Sequence, residues 1–410
     1  VWRIEGARIT AGLARAYGDF GLAEDAAQEA LAQALVQWPV DGEPRNPAAW
    51  LTAVAKRRAV DTLRRGSGLD ERYASLAGGL TSLHDDGADA RAHDLVGDDV
   101  LRLVFIACHP VLGREAQVAL TLRVVGGLTS EEIARLFLLP VATVQQRIVR
   151  AKKTLAAARV PFESPEPAEW PARLGAVLAV LYLVFTEGYS ATSGERWMRP
   201  ELANEALRLG RVLAGLVPRE PEVHALVALM ELQAARFPAR SAADGSPVLL
   251  ADQDRRRWDR AQLGRGRASL ARADETARRR GRGRGPYALQ AAIAECHAVA
   301  ADVADTDWER IVLLYEALGA VAPSPVVELN KAVAVSMAVG PASALRLVDE
   351  LAATGALAGS YLVPSVRGEL LAQLGRAEEA RSELVTAAGL VGNERARSVL
   401  LGKAAALPSA

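Results

Sequence analysis

The segment Leu128–Leu155, LTSEEIARLFLLPVATVQQRIVRAKKTL, constrains the fold of this chain more than any other. Thr129 is a helix N-cap, and Glu132 three residues later completes a capping box. Ile133, Ala134 and Phe137 form an apolar face, Leu138 to Pro140 a tight connection, and a second helix opens near Val141–Thr143. Val144, Ile148, Ala151 and Leu155 recur at spacings of four, three and four, the helical period. The opposite face carries Gln145, Gln146, Arg147, Arg150, Lys152 and Lys153, and no acid occurs between Glu132 and Glu163. This is the pattern of a helix-turn-helix, whose second helix enters the major groove with its N-terminal residues at base edges. Gln pairs bidentately with adenine and Arg with guanine, whereas the later Arg/Lys group suits phosphates. Thr143, Gln145, Gln146, Arg147, Arg150, Lys152 and Lys153 are therefore the candidate DNA contacts. The plain alternative is an amphipathic helix with a solvated basic face.

Net charge seems at first to oppose that reading. The 410 residues hold 49 Lys+Arg and 49 Asp+Glu. The sum hides an asymmetry, however. Residues 1–66 are net +1, 67–100 net −6, 101–160 net +6 and 161–410 net −1. An acidic stretch thus adjoins a basic one, and such patterning is informative where the total is not.

The rest of the chain reads as all-α. Roughly 80 alanines, the best helix former, lie in Ala/Leu/Arg/Glu segments with few β-branched runs. The expected parts are residues 1–66, an acidic linker over 67–99, a helix-turn-helix part over 100–160 and a helical-hairpin part over 161–410. In the first part Leu22, Ala26, Ala30, Leu31, Ala34 and Leu35 form an apolar stripe, and Trp38-Pro39 is expected to end its helix. A proline-rich loop over 39–47 precedes a helix from Ala48 to Arg65, and a short helix is expected near Glu71–Leu76. Gly340-Pro341-Ala342 and Gly375-Arg376-Ala377 repeat at a spacing of 35, close to the tetratricopeptide period. Two cysteines exclude a disulfide framework and fit a reducing cytoplasm. The longest apolar run, Leu174 to Phe185, is shorter than a membrane span. The chain opens inside a helical pattern at Val1-Trp2-Arg3, so upstream residues are expected.

Further strings resemble a known family. Gly21–Leu35 and Pro47–Arg65 are similar to region 2 of extracytoplasmic-function (ECF) sigma factors, and Leu128–Leu155 to their region 4. Asp98–Leu112, Tyr182–Gly194, Leu250–Arg260, Gly285–Ala298 and Thr306–Val335 resemble the subgroup with a tetratricopeptide-like C-terminal extension. The resemblance implies a non-enzymatic subunit without cofactor that binds core RNA polymerase at the β′ clamp and β flap and takes it to promoter DNA. Region 4 would read the −35 element, and region 2 would read and open the −10 element. It places Asp25, Gln28 and Glu29, which share one helix face, at the clamp. Lys56, Arg57, Arg58, Arg64 and Arg65 make a phosphate track, net +4 with Asp61, and Arg45 and Asn46 belong to the loop that captures an unstacked −10 base. The family usually has Asn where this chain has Arg57, which favours phosphate over base contact there. Trp38 and Trp50 are either base-stacking groups or core.

Other patterns carry less. Cys108-His109 and Cys296-His297 lack structural-zinc spacing and read as packing. Asp252 and Asp254, among Arg255, Arg256, Arg257 and Arg260, read as salt-bridged caps. Arg278–Arg284 reads as an exposed basic loop, and Glu187-Gly188-Tyr189 as a hairpin corner. The C-terminal part is expected to regulate the factor, with a regulatory protein as a possible partner and no membrane. Two rivals stay open: a helix-turn-helix regulator with a tetratricopeptide-like sensor that does not replace sigma, and an enzyme with a site around Glu187 or Asp252.

Overall fold

The computed structural model describes residues 2–66, 99–137, 139–189, 198–242 and 245–408. The short helix expected near Glu71–Leu76, most of the acidic linker and Leu138 lie outside them. Among the described residues there is no β-strand, only an isolated bridge between Ser241 and Pro247. The fold is all-helical, with two compact units, Val1–Leu181 and Tyr182–Ala410.

The first unit opens with α1 (Trp2–Tyr17), α2 (Phe20–Asp41) and α3 (Pro47–Gly66). Their shared core is made largely of small side chains: Ala14, Ala23, Ala26, Ala27, Ala30, Ala55 and Ala59 pack with Ile9, Leu13, Leu51 and Val54. Alanine at the contacts lets the three helix axes approach closely. Asp19 caps α2 by accepting from Leu22 N–H at 3.0 Å. Contrary to expectation, α2 runs through Pro39. The missing N–H falls in the last turn, and the Gly42 N–H, at φ 86°, closes that turn on the Trp38 carbonyl at 3.0 Å. The extra turn leaves Leu35 66% exposed and Val36 and Val40 exposed as well, so the apolar stripe ends at Ala34.

A helix over 99–107, α4, begins the second bundle. It is followed by α5 (Arg114–Leu120), which widens into a π turn at Thr121–Val125, with Gly126 N–H bonding the Thr121 carbonyl. Then come α6 (Ser130–Phe137) and α7 (Val141–Ala157). Leu103, Phe105, Leu120, Leu122, Ile133, Val144, Ile148, Ala151 and Leu155 are buried here.

The boundary between the units falls inside α8 (Trp170–Tyr189). In the first unit Trp170 meets Phe105 edge-on at 4.9 Å, and Arg173 donates to the Phe105 carbonyl at 3.0 Å. As a helix, α8 is long and apolar enough by composition to cross a membrane, which the run Leu174–Phe185 alone is not. Leu174, Val177, Leu178, Val180, Leu181, Val184 and Phe185 are buried within the protein.

The second unit continues with α9 (Pro200–Leu216), α10 (Pro221–Ala234), α11 (Arg260–Arg279), α12 (Pro286–Val299), α13 (Trp308–Val321), α14 (Pro325–Ala338), α15 (Pro341–Ala353), α16 (Leu362–Gln373), α17 (Ala377–Leu390) and α18 (Glu394–Ala406). Successive helices pack on one another along the chain. The string Leu250–Arg260 is the clasp between α10, α11 and α12. Buried Arg255 donates to the carbonyls of His297 (2.7 Å) and Ala300 (2.9 Å) and to Thr306 Oγ1 (3.3 Å), closing the C-terminal end of α12. Asp254 accepts from Arg256 N–H, and Asp259 caps α11 at Gln262 N–H. Hydrogen bonds from Arg256 hold the Asp254 carboxyl below the usual carboxylate range. Asp254 thus caps and pairs, and Asp259 caps. Glu187 pairs with Arg199 at 3.0 Å. The basic tract is largely exposed, as expected, although it begins in the last turn of α11 and several of its side chains are paired: Arg278 and Arg279 with Glu275, Arg280 with Glu220 and Arg284 with Asp274.

Candidate nucleic-acid interface

The capping box forms as the sequence predicts. Thr129 N–H donates to Glu132 Oε2 at 2.8 Å, and Glu132 N–H donates to Thr129 Oγ1 at 3.1 Å. Each removes one unsatisfied donor from the start of α6. Thr129→Ala is expected to cost the helix-turn-helix bundle about 1 kcal/mol in a urea titration.

On α7 the buried positions leave an open stripe of Ala142, Gln145, Gln146, Val149, Arg150 and Lys153, which line a shallow groove of about 430 Å³. These residues follow one another at i, i+3 and i+4, so they share one face. Val149 is 46% exposed in the middle of it. Ala142 and Val149 are additions to the sequence reading, and their spacing from Gln145, Gln146, Arg150 and Lys153 was the available signal. Thr143 is half-buried at the start of the helix. Arg147 is turned toward α5, where Glu115 Oε2 holds it at 2.8 Å.

Lys152 lies off the stripe, against α2. Its Nζ is 2.9 Å from Glu24 Oε2 and also pairs with Asp25. Glu24 in turn takes Arg123 Nε at 3.1 Å. The Lys152 side chain is only 15% exposed and that of Glu24 3%. Burial pulls the Lys152 pKa down, but Glu24 and Asp25 outweigh it and hold the ammonium above the usual lysine value. The two bundles of the first unit are therefore joined by a charged cluster, with a further pair from Arg15 on α1 to Asp99 on α4 at 3.3 Å.

On α2, Asp25, Gln28 and Glu29 do share a face, as their spacing predicts. With Leu31, Ala32 and Leu35 they line one side of an open groove of about 840 Å³, whose other residues include Thr62, Arg123, Thr129 and Glu131. Glu29 pairs with Arg58 at 3.5 Å, and Arg58 also donates to Gln33 Oε1 at 3.4 Å. Arg58 thus faces α2 and stands apart from the exposed Arg57 and Arg64; Lys56 is half-buried, and the Arg65 side chain lies outside the described residues. Asn46 caps α3, its Oδ1 accepting from Ala49 N–H at 3.0 Å, beside the exposed Arg45. Trp38 and Trp50 meet edge-on at 5.5 Å and pack against the alanine core, which is the core alternative of the two open for them.

The cysteine–histidine pairs are packing elements. Cys108 is buried with its Sγ 3.3 Å from Thr121 Oγ1, and burial pushes its thiol up to about 12. His297 sits edge-on to Trp308 at 5.2 Å, and burial depresses its pKa to about 4.

Comparison with known proteins agrees with this arrangement. The family model of sigma-70 region 2 matches residues 6–68 and that of sigma-70 region 4 matches residues 102–155. Residues 173–274 match a family of unknown function, DUF6596. An uncharacterized protein of Rhizobium meliloti (strain 1021), R00370, is 45% identical over 393 residues, which cover 93% of this chain and 89% of that protein. The probable ECF RNA polymerase sigma factor SigI of Mycobacterium tuberculosis is 30% identical over 172 residues, covering 41% of this chain and 57% of that protein. No solved structure matches the chain. Two sigma regions in order, joined to a helical C-terminal unit, place the chain in the family of ECF sigma factors with a C-terminal extension.

Proposed function

We propose that this sigma factor binds core RNA polymerase in the cytoplasm through α2 and region 4, directs it to a promoter and helps melt the duplex. The observation that carries this is the stripe on α7. Gln145, Gln146 and Arg150 are the base-edge donors and acceptors, Val149 offers an apolar contact for a thymine methyl, and Lys153 takes a phosphate. Arg57 and Arg64, with Lys56 and Arg65, form the −10 phosphate track, and Arg45 contacts the extruded base. Asp25, Gln28 and Glu29, beside exposed Leu35, form the acidic and apolar surface for the β′ clamp. The β flap takes region 4. The second unit is a tetratricopeptide-like domain that controls activity by docking a regulatory protein.

Co-purification tests the reading. The full chain is expected to associate with core polymerase in the absence of DNA and to bind promoter DNA weakly without polymerase. A chain that binds its promoter tightly alone and ignores polymerase is an ordinary helix-turn-helix regulator.

A further inference from the structure

The cluster of Glu24, Asp25, Arg123 and Lys152 does something promoter recognition does not require. Glu24 is an almost fully buried carboxylate on α2, and both of its cationic partners come from region 4, 99 and 128 residues along the chain. Asp25, on the proposed polymerase face, is occupied by Lys152. The groove beside it takes one side from α2 and the other from Arg123, Thr129 and Glu131 of region 4. Region 4 thus covers part of the surface that polymerase is proposed to use.

Promoter geometry conflicts with this docking. The −35 and −10 elements are about 25 base pairs apart by position, or about 85 Å of duplex at about 3.4 Å per base pair. In the docked unit, the stripe on α7 begins about 15 Å from Lys152, and the loop after α2 lies about 25 Å from Glu24 at a rise of about 1.5 Å per residue. Even with the paired side chains extended, the two reading surfaces are within about 55 Å of each other. They cannot occupy both elements while Lys152 touches Glu24. Residues 67–98, which join the two regions, reach about 110 Å fully extended, so the covalent chain permits the separation.

We infer that Glu24, Asp25, Arg123 and Lys152 form a latch that docks region 4 on the polymerase-facing helix of region 2 in the free chain and opens when polymerase binds. The polymerase step rests on the function proposed above; the latch itself rests on the ion pairs. An opened latch releases charged groups that water solvates well, so its cost is small enough for polymerase contacts to offset.

The test uses the full chain with donor and acceptor dyes on Val40→Cys and Thr154→Cys, both exposed, while native Cys108 and Cys296 are buried. Lys152→Glu, which sets a third acid beside Glu24 and Asp25, is expected to lower energy transfer in the free chain. Lys152→Met, which removes the charge and keeps the stem, is expected to lower it in part. Core polymerase is expected to lower transfer in the wild type to the Lys152→Glu value, and to bind Lys152→Glu about five- to tenfold more tightly without DNA. Unchanged transfer in both variants would overturn the latch, as would high transfer retained in the wild-type complex. A chain that opens on Lys152→Glu yet never binds polymerase supports the latch and overturns the polymerase reading alone.

Discussion

Gly188→Ala is expected to destabilise the second unit by about 3 kcal/mol or more, at the upper end of what overpacking costs. Gly188 lies in the last turn of α8, where its carbonyl accepts from Arg199 N–H at 2.7 Å. A Cβ at this position would lie 2.3 Å from the Ala203 nitrogen and 2.9 Å from both Ala203 Cα and Cβ. The obstructing atoms belong to the backbone of α9, so no side-chain rotation relieves them. The hairpin corner predicted from Glu187-Gly188-Tyr189 is thus a close backbone approach, and glycine is required by space alone. For a unit of this size the loss corresponds to a fall in melting temperature of about 8 °C. Gly264→Ala is the control. Gly264 is inside α11 with nothing within 4 Å of the new methyl, and alanine there should stabilise by up to about 1 kcal/mol. Thermal denaturation of both variants checks the pair, and equal effects would contradict the packing of α8 on α9.

The double variant Gln146→Ala/Arg150→Ala is expected to reduce promoter-directed transcription by about 30- to 1000-fold while leaving binding to core polymerase unchanged. Each bidentate base contact contributes about 1–3 kcal/mol of discrimination, and the two side chains are adjacent on the open stripe of α7. Neither side chain supports the bundle, because Val144, Ile148, Ala151 and Leu155 on the other face fill its core. The fold should therefore survive with its melting temperature within about 1 °C of the wild type, as expected for surface positions. The measurement is abortive initiation with the factor in excess over core polymerase and holoenzyme below its promoter dissociation constant, where the loss appears as weaker promoter occupancy. A loss of polymerase binding instead would move these residues to a different role.

Features set by residues close together in the chain were legible in the sequence. Thr129 and Glu132 are three positions apart, and the cap they predict is present in both directions. The apolar spacing of Val144, Ile148, Ala151 and Leu155 fixes which face of α7 is buried, and so which face is open. Helical spacing alone leaves Lys152 at the edge of the basic face, and it does not report that the side chain is paired across to α2. What draws it inward is Glu24, and no local pattern reports a partner 128 residues away. Arg58 and Glu29 went to separate surfaces for the same reason: their pairing depends on how α2 packs against α3. Pro39 shows the converse, a local rule weakened by position, since a proline in the last helical turn removes only a bond that was about to end. In the second unit, the carboxylates among the arginines of Leu250–Arg260 read as salt-bridged caps, but the spacing does not say which helices they serve. Their bonds to helix ends show that the string holds three helices together.

Run-off transcription with purified core polymerase, on the promoter of this protein's own operon, tests the central claim most directly. A discrete transcript is expected that requires this chain, falls by about 30-fold or more with Gln146→Ala/Arg150→Ala and persists in Lys152→Glu. No transcript above that of core polymerase alone, or a transcript that Gln146→Ala/Arg150→Ala leaves unchanged, would contradict it.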